Sequence, residues 1–240
     1  MDTININKIL NREEKANNIK EILKLFQSNK NNLLFKRGIY IYGEPGTGKT
    51  SFVSNILKEM DYDIIKYDAG DVRNKSVIDD ITKHNMSDKN IMSLFNKKIK
   101  QIAIIMDEID GMNNGDKGGI NTLIKLIRPK KTNRQKLEEL TMNPIICIGN
   151  YRIDKKIKEL MKVCNTFELR PPTNQQVLEI VHRLMPTIEP IIKTKIVNFV
   201  QGDIRKINNF YNIYKNKPGL FRDDILSNIF QSKSYNDDTK

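Results

Sequence analysis

The chain has 240 residues and a formal net charge of +12, from 41 Lys and Arg against 29 Asp and Glu. Its two cysteines, Cys147 and Cys164, exclude a disulfide framework and a four-cysteine zinc site. No apolar run approaches 18 residues and the first residues carry no signal-like pattern, so the reading is a soluble protein of a reducing, intracellular compartment.

The charge by itself has two readings. It suits a nucleic-acid partner, but 31 Lys, 28 Asn and 36 Ile are also what A/T-rich codons deliver, as in a large DNA virus. Aromatics interleaved with basic residues are scarce, which argues against a platform for stacking single strands.

In chain order, short β-rich runs at 38–42, 63–67, 101–106, 144–148 and 166–169 alternate with helical patterns at 50–60, 74–83, 89–98, 119–127 and 154–162. That alternation predicts α/β architecture: a five-stranded parallel sheet flanked by helices. Pro171-Pro172 ends the sheet region, and 173–185, 191–200 and 203–214 read as helices, the first opened by a Thr173–Gln176 capping box. The expected organisation is an α/β domain over 1–170, a small helical domain over 171–230 and a disordered tail over 231–240. Stretches 112–117 and 129–141 read as loop or linker, and no internal repeat is visible.

The most specific motif is Gly43-Glu44-Pro45-Gly46-Thr47-Gly48-Lys49-Thr50, a complete G-x-x-x-x-G-K-T between a strand and a helix. Such a loop turns backbone N–H groups toward a polyphosphate, at distances a Cβ would obstruct. Lys49 would reach the β- and γ-phosphates and the Thr50 hydroxyl would ligate Mg²⁺, with Ser51 beside it in the first helical turn.

The run at 102–106 closes on Asp107-Glu108, so a buried strand delivers Asp107 where α/β sheets bind ligands and a carboxylate can hold Mg²⁺. Glu108 can orient and deprotonate an attacking water, which points to hydrolysis. The strand at 145–148 ends in Gly149-Asn150. If it lies beside the Asp107 strand, Asn150 can meet the attacking water or the γ-phosphate; a plain Gly-Asn turn fits equally well. Gly202-Asp203-Ile204-Arg205 opens a helix with Asp203 as N-cap, and Arg205 either leans over the nucleotide or is a solvated helix arginine.

Phosphate loop, Asp-Glu strand, Asn-ended strand and a helical lid bearing Gly-Asp-x-Arg, in that order, resemble the AAA+ ATPases. Within them the chain is similar to clamp loaders, the replication factor C large subunit above all. The residues that narrow it are 68–76 after the second strand, Met106-Asp107-Glu108-Ile109-Asp110-Gly111-Met112, Cys147-Ile148-Gly149-Asn150-Tyr151-Arg152, and Cys164 leading to Phe167-Glu168-Leu169-Arg170. The likeness runs from about residue 10 to about residue 215.

The resemblance implies ATP and Mg²⁺ held by Lys49, Thr50 and Asp107, with Glu108 as base, Asn150 as sensor-1 and Arg205 as sensor-2 residue. Small clamp-loader subunits carry Ser-Arg-Cys where this chain has Lys162-Val163-Cys164, so it should receive an arginine finger from a neighbour rather than donate one; alternatively Arg152 or Arg170 substitutes. The 240 residues leave room for an ATPase core and lid but not for the family's helical collar, which suggests part of an assembly.

Partners implied are other loader subunits, a sliding clamp and primer-template DNA gripped through phosphates, with no membrane; the site of action would be the nucleus or a viral replication site. Arg73, Lys75 and Lys125 are the DNA candidates. Ile91, Leu94 and Phe95 form a loose clamp-binding box, or else pack as ordinary helix core. Coupling ATP to clamp opening and loading is the leading reading. A clamp unloader or checkpoint-type loader shares the module, and an ATP-gated scaffold with negligible turnover is the alternative from another class.

Overall fold

The computed structural model describes residues 6–68, 100–114, 119–138, 140–151, 154–217, 219 and 221, with no account of the side chains of 112–114. The helices expected at 74–83 and 89–98, the tail at 231–240 and part of the 112–117 loop lie outside these residues. The chain divides into two compact units, one of residues 13–45 and 49–170, the other of residues 1–12, 46–48 and 171–240.

The first unit is built on a five-stranded, all-parallel sheet of order β2-β3-β4-β1-β5. Its strands are β1 (Gly38–Tyr42), β2 (Tyr62–Tyr67), β3 (Gln101–Met106), β4 (Ile145–Gly149) and β5 (Cys164–Glu168). Five edges, on β2, β4 and β5, differ from the sequence reading by one or two residues, because ladder hydrogen bonds rather than side-chain pattern set where a strand stops. Ile39, Ile41, Ala103, Ile105, Ile146 and Ile148 face one core. Tyr40, Ile104, Met106, Ile145 and Cys147 face the other, as the two-residue repeat of a strand requires.

The first core is covered by α2 (Glu13–Ser28) and α3 (Lys49–Glu59), the second by α4 (Gly119–Ile127) and α6 (Lys155–Val163). The sequence reading placed no element ahead of residue 38. Yet Ala16, Ile19, Leu23 and Phe26 recur at three- and four-residue spacing along α2, and all four are buried.

The segment expected as a loop at 129–141 contains a one-turn helix, α5 (Asn133–Lys136), opened by a complete Thr132–Gln135 capping box. Its flanks are fastened by a charge cluster at the amino ends of the strands. Lys130, fully buried, donates from Nζ to the Lys125 carbonyl at 2.5 Å and to Glu138 Oε2 at 3.0 Å. Glu138 also accepts from Arg128 Nε at 3.0 Å and from its Nη2. Buried Arg37, just ahead of β1, donates to the Thr141 carbonyl at 3.0 Å, the Asn32 carbonyl at 3.2 Å and the Lys30 carbonyl. The hydrogen bonds from Arg128, joined by those from Lys130, hold the Glu138 carboxyl below its ordinary range, and burial lowers the pKa of Lys130.

The second unit is helical: α1 (Ile6–Ile9), α7 (Asn174–Leu184), α8 (Pro190–Val200) and α9 (Ile204–Asn216). The Thr173–Gln176 capping box is present, and Gln176 Nε2 also donates to the Ile9 carbonyl at 2.9 Å. The core joins Val177, Ile180, Val181, Ile196, Ile207 and Phe210 to Ile9 and Leu10 from the other end of the chain. Burying each such aliphatic side chain is worth roughly 1.5–3 kcal/mol, so residues 6–12 are structural members of this unit.

Candidate nucleotide site

Three neighbouring strands of the sheet unit deliver the site at their carboxyl ends. β1 runs into the Gly-rich loop, β3 into Asp107-Glu108, and β4, hydrogen-bonded between them, into Asn150. The adjacency of β3 and β4 that the reading of Asn150 required is present, with Met106 opposite Cys147. Asp107 is held at the strand end by one further ladder bond, its N–H to the Tyr67 carbonyl at 2.8 Å.

Lys49, first residue of α3, is only 8% exposed. Its Nζ donates to the Gly43 carbonyl at 2.9 Å, the Glu44 carbonyl at 2.8 Å and Asn150 Oδ1 at 3.2 Å. The loop's own carbonyls thus fix the ammonium at the mouth of the helix, where an anion is favoured. Thr50 Oγ1 donates to Asp107 Oδ2 at 2.8 Å. Hydroxyl and carboxylate side by side are the oxygen donors a Mg²⁺ ion takes alongside phosphate oxygens and water, so the residues present fit that ion. Among the described residues there is no group of three or more His, Cys, Asp or Glu able to hold a metal without such help.

Glu108 is exposed, and its backbone has φ 53°, the left-handed region. For a non-glycine residue this costs on the order of 1 kcal/mol. The turn is held by the Glu108 N–H to Asp107 Oδ1 at 3.0 Å and by Gly111 N–H to the Glu108 carbonyl at 2.8 Å. The outcome is a carboxylate carried past the strand end into solvent. Glu44, Pro45 and Ser51 are also exposed, and Gly43 is buried.

In the helical unit, residues 46–48 of the loop meet α9 and the N-terminal segment. Ile204 N–H donates to the Gly46 carbonyl at 2.8 Å, and Arg12 Nη1 to the Thr47 carbonyl at 2.9 Å. Gly46 has φ +80°, and a Cβ there would lie 2.3–2.7 Å from the Asp203 carboxylate, so no other residue fits without displacing α9. Arg12 is buried, and that burial lowers its pKa to about 10. Arg205 lies in the first turn of α9, 68% exposed at its side chain, with Nε and Nη2 each 3.2 Å from the carboxylate of Asp203.

A family model described as "ATPase family associated with various cellular activities (AAA)" matches residues 39–171. The chain belongs to the AAA family of ATPases. Among known proteins it is similar to replication factor C subunit 1 of Saccharomyces cerevisiae, 29% identical over 184 residues, 72% of this chain and 20% of that protein. It is also similar to the replication factor C large subunit of Methanococcus aeolicus, 27% identical over 198 residues, 80% of this chain and 38% of that protein. The chain therefore spans about one fifth and two fifths of these relatives' lengths. In fold it resembles a RuvB mutant of Thermotoga maritima, with a TM-score of 0.58 and 16% identity over 89% of this chain and 68% of that one. Among the described residues no helix is long and apolar enough to cross a membrane.

Beyond the AAA motifs, two residues that the sequence reading gave no role stand against the site in the sheet unit: Lys66 of β2 places Nζ 2.9 Å from Asp107 Oδ2, and Asp110 takes two hydrogen bonds from Asn150. A third, Arg12, holds the Thr47 carbonyl within the helical unit. Each depends on tertiary pairing, although Asp110 could have been singled out as a third carboxylate just past the strand. Lys125 is exposed on α4. Arg170 is exposed and pairs with Glu168, which also accepts from the Tyr151 hydroxyl at 2.5 Å. Lys162 and Val163 end α6 and Cys164 opens β5. Arg73, Lys75, Ile91, Leu94, Phe95 and Arg152 lie outside the described residues.

Proposed function

We propose that this AAA protein is the Mg²⁺-dependent ATPase core of a clamp-loader subunit of the replication factor C large-subunit type. The observation that carries the reading is the convergence of Lys49, Thr50, Asp107 and Asn150 through hydrogen bonds of 2.8–3.2 Å at the ends of adjacent strands. Similarity to replication factor C large subunits of fungi and archaea supports the choice among AAA functions.

Residues Gly43 to Ser51 cradle the phosphates. Lys49, drawn off the loop carbonyls, pairs with the β- and γ-phosphate oxygens. Thr50 and Asp107 hold Mg²⁺, which when bound neutralises charge on those oxygens. Glu108 takes the proton of the attacking water, Asn150 fixes that water, and Arg205 exchanges Asp203 for the γ-phosphate. The nucleotide-binding domain ends at residue 170, and the lid runs over 171–230 with residues 6–12 packed into its core, ahead of a tail at 231–240. With Lys162-Val163-Cys164 in the arginine-finger position, the finger comes from a neighbouring subunit. Loss of γ-phosphate contacts on hydrolysis then releases a sliding clamp onto primer-template DNA. Lys125, with Arg73 and Lys75, tracks DNA phosphates, and Ile91, Leu94 and Phe95 reach the clamp.

Single-turnover hydrolysis with clamp, primed DNA and candidate partner subunits tests this reading. Turnover stimulated by clamp and DNA and reduced about 10²–10⁴-fold by Glu108→Gln, with ATP still bound, is the expected result. ATP binding without turnover in any mixture would leave an ATP-gated scaffold instead.

A further inference from the structure

Asn150 is gripped from two sides. Its backbone N–H donates to Asp110 Oδ1 at 3.1 Å and its Nδ2 to Asp110 Oδ2 at 2.9 Å, while its Oδ1 accepts from Lys49 Nζ at 3.2 Å. A carboxylate can only accept and an ammonium can only donate. The two neighbours together therefore allow one amide orientation, nitrogen toward Asp110 and oxygen toward the phosphate lysine.

The local structure is shaped to make that grip. Asp110 sits in the 3₁₀ turn Ile109–Asn114 that follows Glu108, and Ile109, fully buried, roots the turn in the core. The carboxylate approaches β4 at Gly149, where a Cβ would lie 2.7 Å from Asp110 Oδ1 and 2.3 Å from the buried Tyr40 hydroxyl. Any side chain at 149 would have to displace the Tyr40 hydroxyl and the Asp110 carboxylate. Forty residues of sequence separate the partners, and the β3–β4 pairing brings them together.

We infer that Asp110 is a positioning residue that locks the Asn150 amide with its oxygen facing Lys49. Asn150 consequently meets a bound nucleotide as an acceptor. It orients the attacking water through the water's own hydrogen, and it senses the γ-phosphate through the lysine they share, not by donating to it. This rests on the ATPase reading above and specifies how one residue of that site works.

The test uses the full chain with Asp110→Ala, the near-isosteric Asp110→Asn, Asn150→Ala and the double variant Asp110→Ala/Asn150→Ala. Side-chain amide exchange is followed by NMR, ATP affinity by direct titration and hydrolysis by single turnover. In the wild type one Asn150 Nδ2 proton should exchange about tenfold more slowly than those of exposed asparagines, and Asp110→Ala should erase that protection. Asp110→Ala should slow hydrolysis by about 10–100-fold while ATP affinity stays within about twofold, and should add nothing in the Asn150→Ala background. Asp110→Asn, which keeps the volume, should show the same split between affinity and turnover. A further full loss in the double variant, unchanged amide protection, or ATP affinity falling in step with turnover would each overturn the inference. If the wild type hydrolyses nothing in any mixture, the ATPase reading falls, and amide protection with ATP affinity decides the role of Asp110 by themselves.

Discussion

The two ends of the sheet handle charge in opposite ways. At the amino ends, Arg128 and Lys130 pair with Glu138, the Arg37 Nη atoms pair with backbone carbonyls while its buried Nε has no partner among the described residues, and the Lys130 side chain is wholly withdrawn from water. At the carboxyl ends, Asp107, Glu108 and Asp110 stand with Lys49 and Lys66, Glu108 is exposed, and its backbone is strained. One end is a closed network that fastens a loop; the other holds its groups ready for something that is not protein. Substitutions at the first should cost stability, and at the second, activity.

The strongest way to break that contrast is Lys49→Ala. It should lower single-turnover hydrolysis by about 10²–10³-fold and weaken ATP binding, because a charge aimed at phosphate is lost. ATP bound as tightly as by the wild type, in a direct titration, would end the phosphate-site assignment.

At the amino end, Glu138→Gln should cost about 1–3 kcal/mol in a denaturant melt, since it strips a charged partner from buried Lys130 and from Arg128. ATP affinity should not change. The same variant carries a pH signature. The folded carboxyl titrates below its ordinary range, held down by the bonds from Arg128 and then Lys130. Its contribution is therefore present above the unfolded value and is lost as pH falls through the folded one, so the variant should show a shallower acid limb of stability than the wild type.

The smallest effect sharpens the contrast most. Glu108→Gly relieves the left-handed backbone and should raise stability by up to about 1 kcal/mol while removing turnover. A melt that shows destabilisation instead would mean that the Glu108 side chain contributes to folding.

Much of the site was legible in the sequence because its signals are local. The phosphate loop has a fixed spacing, and the runs ending at Asp107 and Asn150 are apolar strands that stop on a polar residue. Asp110, Lys66 and Arg12 were not legible as partners, because their bonds span 40, 41 and 35 residues and exist only once β2, β3, β4 and the helical unit are assembled. Other misses had a signal. The α2 stripe of Ala16, Ile19, Leu23 and Phe26 is helical by spacing, and Thr132 with Gln135 is a capping box hidden in a lysine-rich stretch that composition suggested was loop. Where a strand ends was the least legible feature, being set by the partner strand and not by the residue.

The packing of Ile9 and Leu10 among α7, α8 and α9 has a practical consequence for dissecting the molecule. The helical unit is discontinuous in sequence, made of residues 1–12, 46–48 and 171–240. Cleaving or recloning the chain at Pro171 would therefore yield no intact half: the C-terminal fragment would lack two core residues, the Gln176 bond to Ile9 and the loop carbonyl that receives Ile204 N–H. The N-terminal fragment would carry those apolar side chains with nothing to bury them. A faithful separation would splice residues 6–12 onto the helical segment through a designed linker.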